Sequence, residues 1–230
     1  MVGDSGRPHV LATDLREVAL VAVASRLCVV AIAVLSDLLL PDHLAQGALQ
    51  APFETGCAAA PLLRAFTRWD AAHFLRVAQH GWRDDWNYAF FPLYPLLLRW
   101  LSGASQHLPL IARLCEQERM VLGGVLLSNA SFVLAACCLC ADAQPRHAVA
   151  PQPLATQRRF TREDTSHRSP RHRRYALGAE VLRDRRLARG GALLFCCSPA
   201  SVFFSSLYTE SPFALATFGG FLPSLLNLLF

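Results

Sequence analysis

The stretch EVALVAVASRLCVVAIAVLSDLLL, residues 17–40, decides how this chain is read. Apart from Glu17, Arg26 and Asp37 it is built of apolar and small side chains, and it exceeds the roughly twenty residues that cross a hydrocarbon core. It is too long for the apolar centre of a signal peptide and has no clear small-residue cleavage site, so it reads as a retained membrane helix. Arg26 lies inside the run, where a guanidinium is costly unless it snorkels to the boundary or faces a polar cavity; snorkelling is the favoured expectation.

Outward from that run the same blockwise pattern recurs. Of all residues 53% are hydrophobic and 17% charged, and the apolar ones come in blocks rather than alternating, which points to lipid as the solvent. MVLGGVLLSNASFVLAACCLCA (120–141) is a second crossing, and its Asn129-Ala130-Ser131 sequon is discounted because a buried acceptor cannot be glycosylated. GGALLFCCSPASVFFSSL (190–207), interrupted by Pro199, is a third, and 212–230 a fourth. The expected fold is therefore all-α and polytopic, with about four transmembrane helices and a long loop carrying interfacial helices.

The connector at 142–189 holds much of the arginine and no lysine occurs anywhere, so the net charge of +5 describes a loop rather than a whole surface. Its early part is expected to be disordered and 175–189 to form a short basic helix. With few interleaved aromatics and apolar runs on either side, it excludes nucleic acid as a partner. By the positive-inside rule it is cytosolic. The N-terminal residues 1–16 are then cytosolic too, 41–119 form a luminal loop and 208–211 a luminal turn, which places Asp70 and Glu210 on one side of the membrane. FFPLYPLLLRWLS (90–102) is too short to cross and its two prolines break an ordinary helix, so it reads as an interfacial or re-entrant element.

Six of the eight cysteines lie inside apolar runs and read as small apolar side chains. Cys57 and Cys115 lie outside them, and a bridge between the two is left open. The CCLC cluster at 137–140 lacks histidines at zinc-ligand spacing, so no metal is expected there; palmitoylation is the alternative.

The long loop contains FTRWDAAHFLRVAQHGWRDDWNYAFFPLYP from residue 66. Over 62–79 the pattern is helical, which sets Asp70 on one face with His73 and Phe74 and stands Trp69 against His73. A carboxylate among aromatics with a histidine one turn away suits a general base. The bland reading has Asp70 capping the helix or pairing with Arg68 or Arg76, and spacing alone favours it. A cation held by Asp70, His73 and His80 would need poorly converging ligands, and Asp84 and Asp85 read as a solvated turn.

This segment closely resembles the luminal loop of the GPI mannosyltransferase 2 family. The WD-x-x-HF-L pattern falls on Trp69, Asp70, His73, Phe74 and Leu75, with Ala78 and Gly81 following, and the AFFP-x-x-P pattern on Ala89, Phe90, Phe91, Pro92 and Pro95. ALLFCCSPASVFFSSLYTESPFALATF is similar to the family's next block, with Pro199, Tyr208, Glu210 and Phe213 in register, and Ser25-Arg26 also fits.

The resemblance implies a GT-C-type enzyme of the endoplasmic-reticulum membrane, multi-pass, that transfers the second mannose in α-1,6 linkage from dolichyl phosphate mannose to the GPI precursor. It makes Asp70 the catalytic base and Trp69, His73, Arg68 and Glu210 substrate-binding residues. Trp69 and Trp82 are offered as sugar-stacking rings, Arg68 or His73 as the group that steadies the leaving phosphate, and Glu210 as an acceptor-positioning residue or a turn cap. Beyond the lipid-linked donor no cofactor is implied; an accessory membrane subunit is a further partner. Family members are longer, so a fragment is expected, and the rival readings are a truncated non-catalytic membrane subunit or pseudoenzyme and a small transporter.

Overall fold

The apolar run at 17–40 falls, all but Leu40, in one helix that begins earlier than the run: α1 spans Arg7–Leu39. The computed structural model describes residues 7–40, 57–83, 85–141 and 185–226, and among the described residues every regular element is helical. After α1 come α2 (Ala60–Leu63), a short 3₁₀ turn at Arg64–Phe66, and α3 (Asp70–His80). α4 (Leu93–Ser105), α5 (Glu116–Ala141), α6 (Arg185–Cys196) and α7 (Glu210–Leu226) complete the order. The basic connector from 142 to 184, Asp84 and residues 41–56 lie outside the described residues.

α1 and α5 run antiparallel. The late residues Val30, Ala33 and Val34 of α1 meet the cluster containing Met120, Val121 and Val125 at the start of α5. The early residues Val18 and Ala22 pack with Phe132, Ala136 and Cys140 toward the end of α5. Opposite ends of the pair therefore carry different polar fittings. At one end Arg189 of α6 pairs with Glu17 at 2.6 Å; at the other Asp37 takes Arg64 and Arg68. The Asp70 loop and the start of α6, where the basic connector ends, sit at opposite ends.

Two helical stretches, Thr13–Leu39 and Glu116–Cys140, are long and apolar enough to cross a membrane. Leucines 20, 27, 35 and 39 of α1 stand more than half exposed, an outward apolar face that suits lipid. Among the described residues two of the four expected crossings reach spanning length and apolarity. α6, expected to continue to 207, ends at Cys196 after 12 residues, about 18 Å of rise, and 197–209 runs as turns. The physical reason is Pro199, which lacks an N–H and pushes Ser198 out of the helical region. Serines then carry the chain: Ser201 Oγ donates to the Ser198 carbonyl at 2.6 Å and Ser206 Oγ to Val202 at 2.9 Å.

Arg26 does not snorkel. It is 3% exposed and held inside the bundle by hydroxyl and carbonyl oxygens. The prolines of the 90–102 stretch do not break a helix either: Pro92 caps α4 and Pro95 falls in its first turn, where no N–H is needed. Buried Tyr94 and Leu98 face the core while Phe91, Leu93, Leu96 and Trp100 face outward.

Cys57 and Cys115 are joined in a disulfide, Cα to Cα 5.6 Å. Glu118 reinforces the join: one carboxylate oxygen accepts the Cys115 N–H at 2.9 Å, the other the Ala59 N–H. Cys115 Sγ in turn accepts the Glu118 N–H at 3.4 Å, a reciprocal cap that starts α5 with sulfur in the place usually taken by a hydroxyl.

Candidate functional site

The helix expected over 62–79 is broken, and the break builds the site. Residues 68–71 make a tight turn closed by the Ala71 N–H on the Arg68 carbonyl at 3.2 Å, with Trp69 at φ 60°, ψ −130°. That is the first central position of a type II′ turn, ordinarily glycine's. A bulky residue held there costs on the order of 1–3 kcal/mol and persists only where its surroundings over-determine it. The turn throws the Trp69 indole outward, 58% exposed, and starts α3 with Asp70, whose exposed carboxylate favours the positive end of the helix.

The turn is anchored from α1. Arg64 Nε reaches Asp37 Oδ2 at 2.5 Å and its Nη2 donates to the Asp37 carbonyl at 3.0 Å, while Arg68 Nη2 pairs with Asp37 Oδ1. The Asp37 side chain is buried and both arginines are partly exposed. Two guanidiniums over one carboxylate leave a net positive charge beside the Trp69–Asp70 turn. Arg68 places its charge on Asp37, a residue that spacing arguments missed. The signal for it was an isolated carboxylate near the end of an apolar run.

The face of α3 holds the AFFP stretch. His73 stacks on Phe90, centroids 4.9 Å apart and 17° between planes, and Phe74 meets Phe90 edge-on at 5.0 Å and Tyr94 at 5.1 Å. Trp82 Nε1 donates to the Phe90 carbonyl at 3.2 Å, so the indole is packed as a strut. Gly81, at φ 77°, ends α3.

The third contributor comes from the turns before α7. The Leu207 N–H points to the Phe66 carbonyl at 3.5 Å, and Tyr208 donates its phenol hydrogen to the Arg68 carbonyl at 3.2 Å. Tyr208 is missing from the residues proposed on sequence grounds, and only its neighbour Glu210 was among them. Burial, and then the charges of Asp70 and Glu210, push the Tyr208 phenol up to about 12, so it stays a donor near neutrality. Glu210 is likewise raised above the usual carboxylate range, first by desolvation and then by Asp70. The charge of Asp70 thus reaches Glu210, far away in sequence.

The structure brings together Arg68, Trp69, Asp70, His73 and Glu210: an outward carboxylate, a second carboxylate inclined to hold its proton, a cationic pair and an exposed indole. Such a rim can take a proton from a hydroxyl and attract an anionic leaving group. Among the described residues one three-group cluster has metal-ligand spacing, Cys57, Cys115 and Glu118, and its two sulfurs are spent in the disulfide.

The chain is similar to GPI alpha-1,6-mannosyltransferase 2 of Rattus norvegicus, 32% identical over 207 residues, which is 88% of this chain and 35% of the rat protein. The Homo sapiens protein of the same name is 30% identical over 207 residues, 88% of this chain and 34% of its own length. GPI mannosyltransferase 2 of Drosophila pseudoobscura pseudoobscura is 28% identical over 156 residues, 68% and 26% of the two chains. The chain thus spans about a third of the length of the mammalian curated relatives it matches. No solved structure matches it. The sequence model described as Mannosyltransferase (PIG-V) matches residues 15–149 and 173–227, which takes in Asp37, the 68–71 turn, the AFFP stretch and Glu210 alike; the chain belongs to that mannosyltransferase family.

Proposed function

We propose that this chain carries the luminal reaction rim of a multi-pass endoplasmic-reticulum enzyme that adds the second mannose, in α-1,6 linkage, to the GPI precursor from dolichyl phosphate mannose. The observation that carries it is the convergence of Glu210 and Tyr208 on the Arg68–Asp70 turn, across 140 residues of sequence. The Cys57–Cys115 disulfide supports the luminal side, because such bridges persist in oxidising compartments.

In this reading Asp70 takes the proton of the acceptor's sugar hydroxyl, and the freed oxygen attacks the anomeric carbon of the donor. The bond to the dolichyl phosphate oxygen breaks as the new bond forms, and the single displacement converts a β-linked donor into an α-linked product. Arg68 and Arg64, tethered by Asp37, supply positive charge toward the departing phosphate. Trp69 offers its exposed ring to a sugar, His73 holds the aromatic wall with Phe90, and Glu210 positions the acceptor. No cofactor beyond the lipid-linked donor enters.

The test is Asp70→Ala in a full-length protein containing this region, expressed in cells deficient in the second mannose addition. Surface GPI-anchored proteins should fail to return while protein abundance is unchanged; full restoration removes Asp70 from the chemistry. The alternative is a non-catalytic membrane subunit or pseudoenzyme of the same family. Complementation by the 230-residue chain alone would exclude it.

A further inference from the structure

Arg26 is the midpoint of Thr13–Leu39, about 20 Å by helical rise from either end of a helix fit to cross a membrane. Its Nη1 donates to the Ser201 carbonyl at 2.9 Å and to Ser205 Oγ at 3.1 Å; its Nη2 donates to Ser201 Oγ at 2.9 Å and Ser25 Oγ at 3.0 Å. The guanidinium carbon lies 3.8 Å from the centre of the Phe132 ring. Around it Ser25 Oγ donates to the carbonyl of Cys196, the last residue of α6, at 2.6 Å, and Ser205 Oγ to Asn129 Oδ1 at 2.9 Å.

Ser25 apart, the groups Arg26 serves belong to the 197–209 turns. Non-helical backbone at membrane depth is tolerated only where the protein satisfies its freed polar groups, and one planar fork satisfies two residues of this segment at once. Ser205 and Ser206, buried, lead directly into Leu207 and Tyr208, the residues that reach Phe66 and Arg68. Ser128 Oγ donates to the Ser206 carbonyl at 2.9 Å and makes α5 the second wall of the same channel of contacts.

We infer that Arg26 is a positioning residue: from mid-helix it fixes the 197–209 turns and through them sets Tyr208 and Glu210 against Asp70. This rests on the reading of Asp70 and Glu210 as the transfer site. Its structural half is measurable without any transfer assay.

The experiment is amide hydrogen exchange on the full chain in lipid nanodiscs, wild type against Arg26→Met and Arg26→Lys. Loss of hydrogen bonds from a charged donor should speed exchange across 198–210 about tenfold in Arg26→Met, with α3 and the first half of α5 unchanged. Arg26→Lys keeps the charge without the fork and should fall between. Unchanged exchange in 198–210, or equal acceleration in every helix, overturns the inference. Should Arg26→Met not yield folded chain, Ser201→Ala with Ser205→Ala carries the same comparison and the same two outcomes. In transfer assays of the full-length protein, Arg26→Met should lower kcat and Arg26→Lys should recover part of it. Wild-type transfer in Arg26→Met overturns the catalytic half, whereas wild-type transfer in Asp70→Ala refutes the proposed site itself.

Discussion

Tyr208 donates its phenol hydrogen to the main-chain carbonyl of Arg68 at 3.2 Å, tying the turns before α7 to the residue next to the Trp69 turn. Tyr208→Phe keeps the ring, which packs edge-on to Phe203 at 5.4 Å, and deletes the bond. The expected loss is about 1 kcal/mol of stability, read as a lowered thermal midpoint in nanodiscs. A midpoint equal to wild type would show that the Arg68 carbonyl is as well served by water.

Glu210 sets a pH dependence. Its folded pKa is raised, first by desolvation and then by Asp70, so the folded chain binds this proton more tightly than the unfolded chain does. The stability it contributes is complete below the unfolded carboxyl pKa of about 4.3 and is lost as pH rises through the folded value. Glu210→Gln should therefore flatten the fall in thermal midpoint that wild type shows above that pH. Parallel profiles for the two proteins would contradict the assignment.

Gly124 and Gly103 predict opposite signs. A Cβ at Gly124 would stand 2.7 Å from Leu98 Cδ2 and 3.0 Å from Leu207 Cγ, so Gly124→Ala should cost roughly 1–3 kcal/mol by overpacking and should disturb Leu207 beside Tyr208. At Gly103, inside α4, a Cβ meets nothing within 4 Å, and Gly103→Ala should stabilise by roughly 0.5–1 kcal/mol through helix propensity. Chemical or thermal unfolding of the two variants side by side decides it.

Replacing Cys57 and Cys115 with serine opens a loop whose ends are 58 residues apart and should cost about 2–4 kcal/mol. Non-reducing electrophoresis should show slower migration of the double variant, matching wild type after reduction. Identical migration with and without reductant would place both thiols free.

Much of the scaffold was legible because length and composition report on the solvent: the runs at 17–40 and 120–141 became the two helices fit to cross a membrane. The proximity of Asp70, His73 and Phe74 followed from a period of 3.6, and α3 keeps it. What periodicity could not carry was the break before it. Trp69 occupies a conformation that its side chain disfavours, and only tertiary anchors such as Asp37 hold it there. Nor could spacing reveal that Arg26 would meet Ser201 and Ser205, about 175 positions away, or that the helix expected to run to 207 would stop at Cys196. At Trp69 and Arg26 a long-range polar partner outweighed a local preference, whereas at Cys196 the nearby Pro199 ended the run.

Glu118 has one more consequence. Its carboxylate grips the amides of Ala59 and Cys115 together, so it aligns the two thiols through groups other than sulfur. Closure of the bridge is then an intramolecular event at high effective concentration, and an oxidant meets a pair already in register rather than two ends of a wandering chain. Bridge and carboxylate thus hold the same two segments through different atoms.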